Sequence, residues 1–368
     1  MTLAGSDMKV DYWTDLIGGL AERHPALCRR IADRETRMLG DRLEEARVDR
    51  PVYIAGIARS GSTILLELLA RHPDIATHRY RDFPLVMTPW SWNWFIDRAG
   101  RPDQPPAERA HRDRIAVTPE SPEAFEEVLW MAFFEDAHDP KQSAVLTRNT
   151  SNAAFERFYE EHILKLLLLR GGHRYLAKGN YNITRLAYLR RIFPDARFVV
   201  PVRDPLWHVA SLMKQHALFS GVGEGGPRIR RHLRRAGHFE FGPDRQTINT
   251  GNPEVVAEIE ALWAEGREVE GWALHWASVY GHVADTLARD ADLASATRLA
   301  RYETFCADPA AEMRALLDHC GLSHGDLPEQ AAARVSAPDY YEPAFSDAER
   351  AALEACTAPV LARLGTAG

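Results

Sequence analysis

A three-layer α/β fold, with helices on both faces of a central, mostly parallel sheet, is what this sequence predicts. Three observations carry the expectation. Short β-rich runs alternate with helical segments, the first run meets a tight loop of small residues and then a helix, and 368 residues suffice for one large domain or two ordinary ones.

Taken in order, residues 9 to 48 mix apolar and charged side chains at helical spacing. Leu16, Leu20, Leu27 and Ile31 mark a helical segment packed on the core. Val52 to Ile57 is the first strand, followed by Ala58-Arg59-Ser60-Gly61-Ser62-Thr63 and a helix from Ile64. Arg174 to Lys178 reads as a strand, Asn182 to Phe193 as a helix, Arg197 to Val202 as a strand and Pro205 to His216 as a helix. Arg298 to Tyr302 is the last strand. Asp308-Pro309 then supplies an N-cap and first turn for a helix ending near Gly321. Ser346 and Glu349 form a capping box for a terminal helix. Long insertions rich in Pro, Trp and Arg (88 to 122) and in Gly and Arg (218 to 253) interrupt one domain over 49 to 368. Excursions of that length are often binding loops.

Composition narrows the class. Hydrophobic residues at 45% and charged residues at 26% exclude a collagenous or disordered chain, and a formal charge of -7 argues against a general nucleic-acid coat. The cysteines at 28, 306, 320 and 356 have no zinc-like spacing and read as reduced, mostly packed thiols. The start of the chain lacks a signal-peptide pattern, and the apolar run from Ile163 to Leu169 is broken by Lys165 and too short to cross a bilayer. A soluble cytoplasmic protein is the default expectation.

The chemistry concentrates at two places. Gly56-x4-Gly61-Ser62-Thr63 has P-loop spacing, with Ser62 where the triphosphate-binding lysine would stand. Backbone N–H groups at such a helix start favour an anion, and Arg59 brings a cation. A loop of this kind suits a single 5′-phosphate-like group; a tight turn without ligand is the plainer alternative. Downstream, Arg203-Asp204-Pro205 follows a strand, and Ser211 lies eight residues after Arg203. Arg203 and Ser211 suit a second phosphate, while Asp204 capping a helix that starts at Pro205 is the structural alternative.

Together these residues resemble the sulfotransferases that use 3′-phosphoadenosine 5′-phosphosulfate, in their bacterial and Golgi-type branch. Arg59, Ser60, Gly61, Ser62 and Thr63 resemble that family's 5′-phosphosulfate loop, and Arg203 with Ser211 its 3′-phosphate site. Tyr175-Leu176-Ala177-Lys178, Phe193-Pro194-Asp195-Ala196-Arg197 and Arg301-Tyr302-Glu303 resemble its connecting elements. The resemblance implies a P-loop-related fold, that nucleotide as donor, no metal, and a small-molecule or glycan-like hydroxyl or amine as acceptor. The chain departs from the family at Arg59, where cytosolic members carry Lys, and at Lys178-Gly179-Asn180, where Lys-x-Pro is usual.

Sulfuryl transfer needs cations on the leaving phosphate and a base for the acceptor's proton, with positioning and electrostatics supplying most of the rate. Arg59 is the leading candidate for charge stabilisation and Lys178 the second. The family's glycan and protein branches place an acidic base about two dozen residues past the loop. Asp82 is the nearest acid there, with His78 the next candidate and pairing of Asp82 to Arg79 or Arg81 the structural alternative. Trp90, Trp92 and Trp94 alternate and would share one face of an extended segment, as acceptor platform or as core. Between Gln215 and Pro253, six arginines at 228 to 245 suggest a lid over the nucleotide or an acidic acceptor, or else a solvated basic helix, and the lid histidines His216 and His238 are further candidates for the base. Two other classes stay open on the sequence: a P-loop kinase, and a nucleotide sensor without catalysis.

Overall fold

Val52-Tyr53-Ile54 is fully buried and extended, as a β-branched and aromatic run flanked by sheet neighbours should be, and forms β1. It pairs with two strands distant in sequence. The computed structural model describes residues 10, 12–100, 105–108, 115–223, 227–336 and 343–366. In it Ile75–Ala76 is β2, the antiparallel pair Ala107–Glu108 and Ala116–Val117 is β3 and β4, Arg174–Lys178 is β5, Arg197–Val202 is β6 and Thr297–Arg301 is β7. The main sheet has five parallel strands in the order β2-β5-β1-β6-β7.

Alternation along these strands divides the core in two. Tyr53, Tyr175, Phe198 and Val200 face one way, toward helices Ala153–Arg170, Pro205–Gly223 and Glu268–Arg289. Val52, Ile54, Leu176 and Val199 face the other, toward helices Ser62–Leu69, Pro309–Cys320 and Leu327–Arg334. The three layers follow from that pleat. Each fully buried Val, Leu, Ile or Phe contributes about 1.5–3 kcal/mol, so the sheet is held from both sides.

The expected helix starts are realised as caps. Asp308 accepts from Ala311 N at 3.0 Å, Asp204 from Leu206 N at 2.9 Å, and Ser346 with Glu349 closes the capping box at 2.8 and 3.3 Å. Pro201, in the middle of β6, needs no bulge. β6 stays in register with β7 from Phe198 to Val202, and Val199 shows that alternate residues turn their polar groups toward β1, accepting from Ala55 N at 3.0 Å. Two residues on, Pro201 points to the same side, where the chain has already left the sheet at Gly56. A Cβ on Gly56 would stand 3.0 Å from the Pro201 ring, and the Pro201 carbonyl accepts from the Tyr280 hydroxyl at 2.7 Å. The missing N–H is therefore not missed.

Three expectations are corrected. The N-terminal segment is helical over Tyr12–Arg23, Pro25–Leu39 and Asp41–Glu44, but Leu20, Leu27 and Ile31 are exposed. The buried face is Cys28, Ala32, Glu35 and Leu39, because Lys165 reaches across to donate to the Ala32 carbonyl at 2.7 Å and lies 3.8 Å from Glu35. Trp90, Trp92 and Trp94 lie on helix Pro89–Ala99 and do not share one face, since Trp90 and Trp94 fall on one side and Trp92 on another. Trp92 is buried with its indole N–H on the Arg81 carbonyl at 2.9 Å, whereas Trp94 is exposed under Arg98. The basic segment spends its charge at home: Arg230 pairs with Asp244, Arg231 and Arg235 with Asp15, Arg235 also with Glu22, and Arg245 with Glu268.

Candidate active site at the carboxyl edge of the sheet

Because the five strands are parallel, their carboxyl ends share one edge, the usual place for a ligand in such sheets. β1 ends in the loop 56–61, β5 in Lys178, β6 in Arg203, and β7 in Arg301-Tyr302. Chain segments more than a hundred residues apart thus converge.

The loop is shaped for an anion. Arg59 takes a left-handed φ of 70° and Gly61 one of 99°, and the Ser60 N–H between them donates to the Ile57 carbonyl at 3.3 Å, ahead of helix Ser62–Leu69. Gly61 is required twice over, since a Cβ there would stand 2.7 Å from the Tyr302 ring. Tyr302 in turn carries Arg203 on its other neighbours: the guanidinium lies 4.8 Å from the ring centroid. Glu303 accepts from Asp204 N at 3.0 Å, so the end of β7 braces the start of the helix after Arg203.

The two predicted phosphate sites touch. Arg59 Nε donates to Ser211 Oγ at 3.2 Å, and Arg203 approaches the Arg59 carbonyl at 3.4 Å. Ser60, Ser62, Arg203 and Ser211 are buried, whereas Arg59, Gly61, Thr63 and Lys178 are partly exposed. Arg203 Nε is buried with no hydrogen-bond partner among the described residues. An unpaired buried donor on a guanidinium is costly unless something is meant to accept from it, so the residues fit an anionic group here.

Sequence reasoning missed the residue that pins the loop. His208, fully buried, meets the Ala58 carbonyl at 2.8 Å through Nε2 and accepts from the Trp276 indole at 3.1 Å through Nδ1. Those two contacts fix the neutral tautomer with the proton on Nε2. Burial pushes its pKa down to about 3, below the ordinary 6.5. Its contribution to stability is therefore present above pH 6.5 and is lost as pH falls toward 3. Replacement by leucine is expected to strand the Ala58 C=O and the Trp276 N–H, at about 1–3 kcal/mol for each buried group, read as a lower urea midpoint. An unchanged midpoint would show the loop to be held elsewhere.

Asp82 and His78 lie in the segment that follows β2 and are buried inside the protein. Asp82 is 0% exposed and its oxygens are taken up by Arg170 at 2.5 Å, Asn93 Nδ2 at 2.9 Å and the Arg79 backbone N–H at 2.9 Å, with His78 at 3.4 Å. Arg79 and Arg81, the partners expected from sequence, pair instead with Glu120, and Arg81 also with Asp97. Burial by itself would raise the Asp82 pKa, but His78 and the Arg170 charge outweigh it and hold the carboxyl well below the usual range. His78 is buried too, its Nε2 against His162 Nε2 at 3.1 Å. Such a site suits a structural ion pair rather than a carboxylate that must collect a proton from a bound molecule.

A narrow, partly open cleft lies beside the loop. Ile57, Ala58, Asn180, Glu240, Gln246 and Trp272 are among its walls. Asn180, where the chain departs from Lys-x-Pro, donates to Glu240 at 2.5 Å. His216 is occupied otherwise: its Nδ1 accepts from Gly242 N at 3.2 Å, and burial lowers its pKa to about 4. Among the described residues, no group of three His, Cys, Asp or Glu side chains is disposed to hold a metal, and no helix is long and apolar enough to cross a membrane.

The parallel sheet, with the loop and Arg203 at its carboxyl edge, is an α/β fold, and the sequence comparison gives its family. Residues 51–240 match the sulfotransferase family, and the chain belongs to that family. No curated protein matches it in sequence. Solved structures that align with it include sulfotransferase STF1 from Mycobacterium tuberculosis H37Rv, at 13% identity over 90% of this chain and 81% of that one, with a TM-score of 0.48. Sulfotransferase STF9 from Mycobacterium avium aligns at 13% identity over 88% and 79%, TM-score 0.46. A sulfotransferase from Alicyclobacillus acidocaldarius aligns at 17% identity over 87% and 96%, TM-score 0.40.

Proposed function

We propose that the protein moves a sulfuryl group from 3′-phosphoadenosine 5′-phosphosulfate to a hydroxyl of a small-molecule acceptor. The observation that supports the reading most is the contact of Arg59 Nε with Ser211 Oγ at 3.2 Å, because a loop and a pair that touch suit the two phosphate-bearing ends of one nucleotide. The loop amides and Ser62 would hold the 5′-phosphosulfate, and Arg203 with Ser211 the 3′-phosphate. Arg59 would face the charge that develops as the sulfuryl group leaves, with Lys178, at the end of β5, as the second cation. Asp82 is here a structural carboxylate.

A thermal shift with adenosine 3′,5′-bisphosphate tests the donor. At 100 times Kd it should add about 2.7 kcal/mol of stability, the shift should survive EDTA, and adenosine 5′-monophosphate should give far less. Equal stabilisation by the monophosphate would remove the 3′-phosphate assignment. Stabilisation by ATP with magnesium in its place would point to a kinase.

A further inference from the structure

Among the described residues, Glu240 is the one carboxylate in the walls of the cleft beside the loop 56–61. Its position is built from both sides. Asn180, two residues past Lys178, donates to Oε1 at 2.5 Å, and His238 Nδ1 lies 3.6 Å from Oε2. β5 carries Asn180 into place, because Lys178 pairs with Ile54 at the root of the loop and Gly179 N donates to the Ile54 carbonyl at 3.0 Å. The carboxylate keeps 11% of its side chain accessible, unlike Asp82 with none. We propose that Glu240 takes the acceptor's proton in this cleft, and that the acceptor is a slender, uncharged alcohol. The proposal rests on the donor reading above.

In the step, the acceptor oxygen forms a bond to sulfur as the bond from sulfur to the 5′-phosphate oxygen breaks. The electron pair of the broken bond stays on the phosphate, and the hydroxyl proton passes to Glu240 and then to water. Burial works against ionisation of Glu240, but the His238 hydrogen bond and charge, with Asn180, hold it below its ordinary range. It is therefore a carboxylate at neutral pH and ready to accept. The other groups facing it are Tyr181, beside Asn180, and His275 of helix Glu268–Arg289. Thr247 Oγ1 meets His275 Nδ1 at 2.8 Å, and burial lowers that histidine's pKa to about 4.

The walls set the class of acceptor. Ile57, Leu212, Ile248 and Trp272 are buried apolar surfaces that leave a narrow space. An acceptor with its own carboxylate or sulfate would meet the Glu240 charge. Arg235 and Arg245, the arginines of the basic segment nearest in sequence, are committed elsewhere: Arg235 to Asp15 and Glu22, and Arg245 to Glu268 at 2.6 and 3.0 Å with its guanidinium on Trp263.

The test uses sulfur-labelled 3′-phosphoadenosine 5′-phosphosulfate with 1-alkanols from butanol to decanol, and 6-hydroxyhexanoate as the charged match of 1-hexanol. Transfer to at least one alkanol is expected, with 6-hydroxyhexanoate at least tenfold poorer than 1-hexanol. Glu240→Gln should keep its thermal shift with adenosine 3′,5′-bisphosphate and lose roughly 10²- to 10⁴-fold in turnover, the scale of a positioned base. The acid limb of kcat/KM should lie below about pH 5, in the carboxylate range. A limb between about pH 6 and 7 would assign the proton to an imidazole such as His238 and overturn the proposal. So would turnover of Glu240→Gln within threefold of the parent, or no transfer to any alkanol by protein that binds the bisphosphate. Failure to bind the bisphosphate would instead overturn the donor reading, and the acceptor proposal with it.

Discussion

Asp82→Asn is expected to destabilise the fold by about 3–5 kcal/mol, the cost of leaving a buried charge without its partner. The orphan is Arg170, 5% exposed, whose guanidinium sits 2.5 Å from the Asp82 carboxylate. Asn93 Nδ2, which donates to the same oxygen at 2.9 Å, would face an amide that can satisfy only part of the demand. Urea unfolding of the variant and the parent at neutral pH measures the difference. The pH dependence has a definite sign. Asp82's folded pKa is lowered from its ordinary 3.8, so its stabilisation is present above that value and drains away as pH falls below it. The variant should lack that acid limb. Turnover per folded molecule should stay within about tenfold; a loss of 10²-fold or more with unchanged stability would restore Asp82 as the base.

Arg203→Ala should weaken adenosine 3′,5′-bisphosphate by about 10- to 150-fold, the 1.5–3 kcal/mol of a hydrogen bond to a charged group. Adenosine 5′-monophosphate, lacking the 3′-phosphate, should bind the variant and the parent alike. That difference separates lost recognition from general damage. Some structural cost is expected as well, because Arg203 packs on the Tyr302 ring, which itself closes over Gly61. Arg203→Lys keeps the charge but not the planar fork, and should recover only part of the affinity. Equal losses for both nucleotides by calorimetry would show that Arg203 holds the loop and not the 3′-phosphate.

Much of the frame was legible in the chain because its signals are local. The runs at 174–178 and 197–202 coincide with β5 and β6, and caps at Asp204, Asp308 and Ser346 announce their helices within three residues. The loop from Gly56 to Thr63 is likewise a short-range pattern, fixed by small residues and a positive φ at Gly61. Periodicity failed where two periods fit the same residues. Trp90, Trp92 and Trp94 alternate like a strand, yet Pro89 opens a helix, Trp92 is drawn inward to the Arg81 carbonyl and Trp94 is left exposed. β2, only Ile75–Ala76, is too short to leave any pattern.

What the sequence by itself determined is the order of strand, loop and helix, and the pair of motifs that mark a sulfotransferase. Tertiary structure alone decided which charges meet. Arg59 reaches Ser211 across 152 residues, Asp82 finds the Arg170 guanidinium across 88 rather than that of Arg79 or Arg81, and Asn180 holds Glu240 across 60. A strand or a cap is set by residues a few places apart. An ion pair is set by which parallel strands lie side by side and by how far each end is buried, and burial makes the partner of a charge a property of the whole fold.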